Sequence, residues 1–217
     1  MKTRGTIWQY LAGTLLLAGM LLGCGDSNIS DVKPPDPVSY EPDTTGGLSM
    51  GLFEETKAAR AKAGDTVAIP HETLLEILPL GIKGFTLETD KASTFVTQNF
   101  TFSEASRVFY NDQEHYIELV AGDYVANPDF IEVMLQRYNL SQDVEIQGVR
   151  DVKMDLDPRG DKDQFFAWGS FNAARRTANV NISINFRYVV SLSMTDVDDL
   201  PSKTQIQEWL KLELLPS

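Results

Sequence analysis

From 178 to 194, every even position carries an apolar side chain: Ala178, Val180, Ile182, Ile184, Phe186, Tyr188, Val190, Leu192 and Met194. The odd positions between them are Asn179, Asn181, Ser183, Asn185, Arg187, Val189, Ser191 and Ser193. A period of two places one set against a core and the other in water, as in an antiparallel sheet covered on one side. The run is long for a single strand, so bending or partial pairing is expected. The same alternation suits a membrane β-barrel strand, but one such strand does not make a barrel. On this pattern Phe186 is buried and Arg187 is wet, so Phe186→Asp is expected to unfold the domain and Arg187→Ser to be tolerated.

The rest of the chain adds elements on both sides of this run. Met50 to Lys62 is rich in helix formers and stops at Gly64-Asp65; His71 to Leu78 forms a second short helix, stopped by Pro79. A strand starts near Lys83, and two more run from Phe100 to Tyr110 and from His115 to Tyr124, with Asn111-Asp112-Gln113 as a hairpin turn between them. Asn127-Pro128-Asp129 opens a helix, with Asn as cap, proline in the first turn and an acid at the positive end of the helix dipole. Phe130, Val133, Met134 and Tyr138 are expected on its core face. Val144 to Leu156 reads as one strand with Gly148 as a bulge, and Gln164 to Phe171 as another. Pro201 to Leu212 closes the chain with a helix facing inward through Ile206, Trp209 and Leu210. The order α-α-β-β-β-α-β-β-β-α predicts an α+β fold: an antiparallel β-sheet with helices packed on one face, a two-layer sandwich.

The first residues follow another rule. Lys2 and Arg4 precede an uncharged, largely apolar run to Gly25, the layout of a secretory signal peptide. Its length is close to that of a transmembrane helix, but glycines at 13, 19 and 23 dilute it. Leu21-Leu22-Gly23-Cys24 resembles the bacterial lipobox. The resemblance implies cleavage before Cys24, diacylglycerol on its thiol and an acyl group on the new amine. It also gives a use to the single cysteine, which cannot form an internal disulfide. Two or more acyl chains, at about 0.8 kcal/mol per buried CH₂, hold stably where one does not. Gly25 directly after the cysteine resembles the sorting signal for the outer membrane, facing the periplasm. Residues 25–47 are rich in Pro, Asp and Gly and read as a disordered or extended tether. The expected organisation is therefore a signal peptide over 1–23, an acylated Cys24 with its tether over 24–47, and one domain over 48–217.

Leu74-x-x-x-Leu78-Pro79-x-x-x-x-Gly84-Phe85 also resembles a module of uncharacterised bacterial envelope proteins, in which a helix ending in Leu-Pro leads through Gly and an aromatic into strands. The chain is acidic, with a formal charge of −12. Loss of Lys2 and Arg4 with the signal peptide would take this to −14. Such a surface repels phosphate backbones and anionic headgroups, which disfavours nucleic acid and direct docking on lipid.

Candidate chemistry is sparse. His71 and His115 are the only histidines, and neither stands in a catalytic or zinc-binding motif. Asp155, Asp157, Asp161 and Asp163 alternate around Gly160 as in a calcium loop, but Arg159 and Phe166 replace oxygen ligands that such a loop needs. The plainer reading is a solvated loop. Of the aromatic residues from Phe165 to Phe171, Phe166 and Trp168 share one side of a strand and form a possible contact surface if that side is wet. No metal or cofactor is expected. The reading that follows is a membrane-anchored envelope lipoprotein that binds or scaffolds an envelope protein or glycan, its oligomeric state open. The alternative is a hydrolytic or carbohydrate-active envelope enzyme.

Cys24→Ser is expected to abolish acylation. Mass spectrometry of the mature N-terminus, with membrane fractionation, checks this: an uncut N-terminus or a free Cys24 thiol on the wild-type protein would overturn it.

Overall fold

The computed structural model describes residues 50–97, 100–141, 144–157 and 165–216; Cys24, the tether, Asp161 and Asp163 lie outside them. All belong to the compact unit Asp43–Ser217. Two helices lead, α1 (Met50–Ala63) and α2 (His71–Ile77). Three strands follow: β1 (Thr86–Val96), β2 (Thr101–Tyr110) and β3 (Tyr116–Asp123). Helix α3 (Pro128–Leu140) then connects to β4 (Val144–Ile146), β5 (Val149–Lys153), β6 (Phe165–Asn172), β7 (Thr177–Ile184) and β8 (Tyr188–Thr195). Helix α4 (Lys203–Trp209) and a 3-10 turn (Leu212–Leu214) end the chain.

The strands form one eight-stranded antiparallel sheet in the order β1-β2-β3-β8-β7-β6-β5-β4. It is two meanders joined side by side, β1 to β3 and β4 to β8, meeting where β3 pairs with β8. Each tight connection has its own chemistry. At the β2–β3 turn, the Asn111 side-chain oxygen accepts from the amides of Gln113 and His115 at 2.9 and 3.0 Å, so the expected hairpin is present. The α+β class with helices packed on an antiparallel sheet is also as expected. The main core lies on one face, where Leu74 and Ile77 of α2 and Ile206 and Leu210 of the C-terminal segment cover Phe109, Leu119, Ile182, Val190 and Leu192. A smaller apolar cluster lies on the opposite pleat. There Phe53 of α1 and Ile131, Met134 and Leu135 of α3 cover Phe166, Trp168 and Val189.

Several sequence expectations need correction. The long alternating run is a hairpin and not one strand. It turns at Asn185 and Phe186, both at positive φ (55° and 48°), with the Arg187 amide donating to the Ile184 carbonyl at 3.1 Å. Two central residues at positive φ mark a type I′ turn, whose twist matches the strands it joins. Ile184 opposes Tyr188, Ile182 opposes Val190 and Val180 opposes Leu192. Opposed residues differ by an even number, so the even positions of both strands keep to one face, while Phe186, in the turn itself, packs with the cluster on the other. The alternation therefore contains no sign of the fold-back. Gly148 is no bulge either: with Gln147 it holds positive φ (75° and 52°) and turns β4 into β5. Helix α3 begins at Pro128 as expected, but Asn127 makes no side-chain capping bond. Its core face is Ile131, Met134 and Leu135, with Tyr138 against Phe166. Val133 is 63 % exposed, because it lies two residues past Ile131, on the far side of the helix.

The largest correction concerns Arg187, which is 6 % exposed. Its Nε and Nη2 donate to both carboxylate oxygens of Asp123 at 2.9 and 2.8 Å. Nη1 donates to Asp65 at 2.7 and 2.8 Å, and Nη2 also to the Val67 carbonyl at 3.0 Å. Asp123 is fully buried and accepts in addition from the amides of Val125 and Ile69 at 3.0 and 2.8 Å. Hydrogen bonds to both charges are what make burial of the pair tolerable. Arg60 of α1 completes the network by donating to the carbonyls of Asn185 and Phe186. Those contacts hold a phenylalanine in the left-handed region, which on its own costs a residue with a Cβ about 1–2 kcal/mol.

Arg187→Ser is therefore expected to destabilise by about 3–5 kcal/mol, since it leaves the Asp123 carboxylate buried without its cation. Phe186→Asp is expected to destabilise as well, because it places a charge beside Phe53 and Phe166. Denaturant melts of both variants check this, and a wild-type midpoint for Arg187→Ser would refute it.

Candidate functional site

Helix α2 ends at Leu78-Pro79, since proline can supply no amide to continue it. Arg107 of β2, itself buried, reaches under this end. Its Nη1 donates to the carbonyls of Leu78 and Leu75 at 2.6 and 3.3 Å. Its Nε and Nη2 donate to Asp90 of β1 at 3.2 and 3.4 Å. A cation at a helix C-terminus meets both the orphan carbonyls and the negative end of the dipole. From the other side comes α4, started by a capping box in which Ser202 and Gln205 exchange hydrogen bonds. The chain then ties back to α2 through the Lys211 amide, which donates to the Ile77 carbonyl at 3.1 Å.

Between α2 and this C-terminal segment lies an open cleft of about 620 Å³. Its walls are Leu75, Leu78, Pro79, Leu80, Trp209 and Leu214; Glu76, Glu208 and Lys211 stand around them, with Arg107 also in the lining. Leu80 is 80 % exposed. A concave, mainly apolar surface with a few polar groups is the usual form of a binding site, and this volume lies within the usual range. Helical spacing alone turns Trp209 inward and contains no sign of the cleft. The cleft forms only when α2 and the C-terminus meet, and they are more than a hundred residues apart.

Those of the residues singled out from the sequence that the structure describes do not assemble into a site. Phe166 and Trp168 are 1 % and 7 % exposed, under α1 and α3, so they are core and not a contact surface. The contact-surface reading required their side of β6 to be wet, and α1 and α3 cover it. Asp155 pairs with Lys203 at 3.6 Å, and among the described residues no three metal-ligating side chains converge. His71 lies beside the Thr94 hydroxyl at 3.0 Å, and His115 beside Asp196 at 3.0 Å. Neither is among the residues that line the cleft.

The face of the sheet opposite α2 carries a second concentration of side chains. A Cβ on Gly122 would stand 2.7 Å from the ring of Tyr124, so the glycine leaves room for that ring to lie on the sheet. Phe130 stacks on Tyr124 at 4.4 Å and Phe102 meets it edge-on at 5.2 Å. Phe95 opposes Phe102 across the β1–β2 pair, and Glu104 opposes Gly122 across β2–β3. Burial, then Glu118, pushes the Glu104 carboxyl above its ordinary range. Burial, then Glu104, pushes the Tyr124 phenol up to about 12. Further along the sheet, Ser191 and Ser193 donate to Asn181 and Asn179 at 3.0 and 2.9 Å, a polar ladder between β7 and β8.

The Tyr188 phenol, beside the Arg187 network, is likewise pushed up to about 12, with burial as the main cause. Unfolded phenols lose their proton near about 10. Between about 10 and about 12 the unfolded chain therefore binds fewer protons than the native one, and stability falls as pH rises. Melts across that range are expected to show a steep alkaline loss that Tyr124→Phe and Tyr188→Phe each flatten. An unchanged slope in both variants would refute it.

No protein-family model matches this chain, and neither a curated protein nor a solved structure matches it.

Proposed function

We propose that this protein is a membrane-anchored envelope lipoprotein that acts as a binding module, holding an apolar segment of an envelope partner in the cleft between α2 and the C-terminal segment. The observation that carries the reading is the lining of that cleft. Six apolar side chains form its walls, and Arg107 has its donors engaged by Asp90 and two carbonyls. Such a lining holds an apolar group by burial, at roughly 25 cal/mol per Å² removed from water. It favours binding over hydrolysis, which needs an activated nucleophile or a poised acid and base. The lipobox Leu21–Cys24 supports an anchor, and the Pro-rich stretch 25–47 supports a spacer of some tens of Å between bilayer and domain, at about 3.1 Å per residue. The outer membrane, facing the periplasm, is the location that Gly25 supports.

A photo-crosslinking residue at Leu80 of the full chain, expressed in intact cells, tests this, with the same residue at Glu55 on α1 as control. The expected result is a discrete adduct from position 80 alone, its yield reduced about tenfold by Trp209→Ala, the loss typical of an aromatic anchor. Equal adducts from both positions, or none from position 80, would overturn the reading.

A further inference from the structure

We propose that the aromatic strip formed by Phe95, Phe102, Tyr124 and Phe130, together with Glu104 at its inner end, is a second binding surface, and that it takes a lysine or arginine side chain from an extended segment of a protein partner. The strip lies on the face of the sheet opposite the cleft, so it stands independently of the function proposed above.

Three observations support it. The first is exposure: Phe95 is 57 % exposed and Phe130 36 %; Phe130 stacks on Tyr124, Tyr124 meets Phe102, and Phe95 stands opposite Phe102 on the neighbouring strand. Contiguous exposed aromatic surface marks interaction sites more often than isolated apolar residues do. The second is construction. Gly122 is the residue that lets the Tyr124 ring rest on the sheet, and the ring in turn positions Phe130 by stacking. The third is charge. Glu104 and Glu118 are both partly buried on this face, and neither has a basic partner among the described residues. Burial raises the Glu104 carboxyl, with Glu118 adding to the effect, so its ionised form is held there against a cost that a bound cation would offset.

These features favour a cation over a sugar. Aromatic ring faces carry negative potential that attracts ammonium and guanidinium groups. The adjoining carboxylates offer acceptors and no donors. The net charge of −12 draws basic segments toward the chain from a distance. Backbone alternation adds a geometric match, because an extended segment crossing the strip presents every second side chain to it.

The test is calorimetric titration of the full chain, in a neutral detergent, with an alternating Ser-Lys octapeptide. Saturable binding is expected. Glu104→Gln is expected to weaken it about tenfold, as for loss of a charge-assisted contact. Phe95→Leu keeps the apolar bulk but removes the ring, and is expected to weaken it about threefold. Glu88→Gln makes the same charge change at an exposed position of β1 and is expected to leave binding unchanged. Glu104→Gln is also expected to raise the melting temperature at neutral pH, because it removes a charge that burial disfavours; this reports that the variant is folded. Absence of binding would overturn the proposal, and so would equal weakening by Glu88→Gln and Glu104→Gln, which would signify diffuse attraction only. Tighter binding of a neutral oligosaccharide that Phe95→Leu abolishes would overturn it in favour of a glycan surface.

Discussion

The guanidinium of Arg187 and the carboxylate of Asp123 hold together parts of the chain that share little else. Asp123 ends β3, Arg187 closes the β7–β8 turn, and Asp65 and Val67 belong to the segment between α1 and α2. Asp123 also takes the Ile69 amide, which fixes the approach to α2 and so one wall of the apolar cleft. Arg60 extends the same network to α1. Neutral side chains of similar volume could fill this space, and replacing a buried ion pair in that way is often neutral or stabilising. What the pair supplies is geometry: a planar fork with a fixed set of acceptors accepts one arrangement of three chain segments.

The sequence shows the elements more clearly than the faces they bury. Element type followed from punctuation: Pro79 stops α2, Pro128 starts α3, and Asn111 turns β2 into β3. The fold-back at Asn185 was hidden because an even offset between paired residues preserves the alternation, and neither central residue is glycine. Gly148 was visible as special, but bulge and turn both call for positive φ, and only the pairing of β4 with β5 separates them. The α3 face was shifted because Phe130, Val133, Met134 and Tyr138 fit helical spacing about as well as Ile131, Met134, Leu135 and Tyr138 do. Local periodicity cannot choose between two stripes when the layer they pack on is unknown.

The charged and aromatic residues were the least legible. Arg187 sits at an odd position of a run whose odd positions are mostly polar, so pattern alone assigns it to water. Its burial depends on Asp123 and Asp65, both remote in sequence. Phe166 and Trp168 were sorted onto the correct side of β6, but nothing local shows that α1 and α3 cover that side. Trp209 and Phe95, by contrast, gained importance through neighbours that the topology supplied. The two surfaces that carry the functional readings, the α2 cleft and the strip around Tyr124, are each assembled from elements distant along the chain. That is why no short motif announces either.

The meeting of the two meanders at β3 and β8 also has a consequence for how the chain reaches this state. Within each meander, neighbouring strands are separated by at most eleven residues of chain, so their pairing closes small loops. The β3–β8 seam pairs residues 117–123 with 188–194 and must close a loop of about seventy residues, an entropic cost that grows with length and slows folding. The Asp123–Arg187 pair lies at one end of that seam, where Asp123 opposes Tyr188. It can form only once the halves have met in register. The buried ion pair thus acts as a latch on the junction of the sheet that is longest in range along the chain, and a chain whose halves meet out of register leaves the Asp123 carboxylate without its cation.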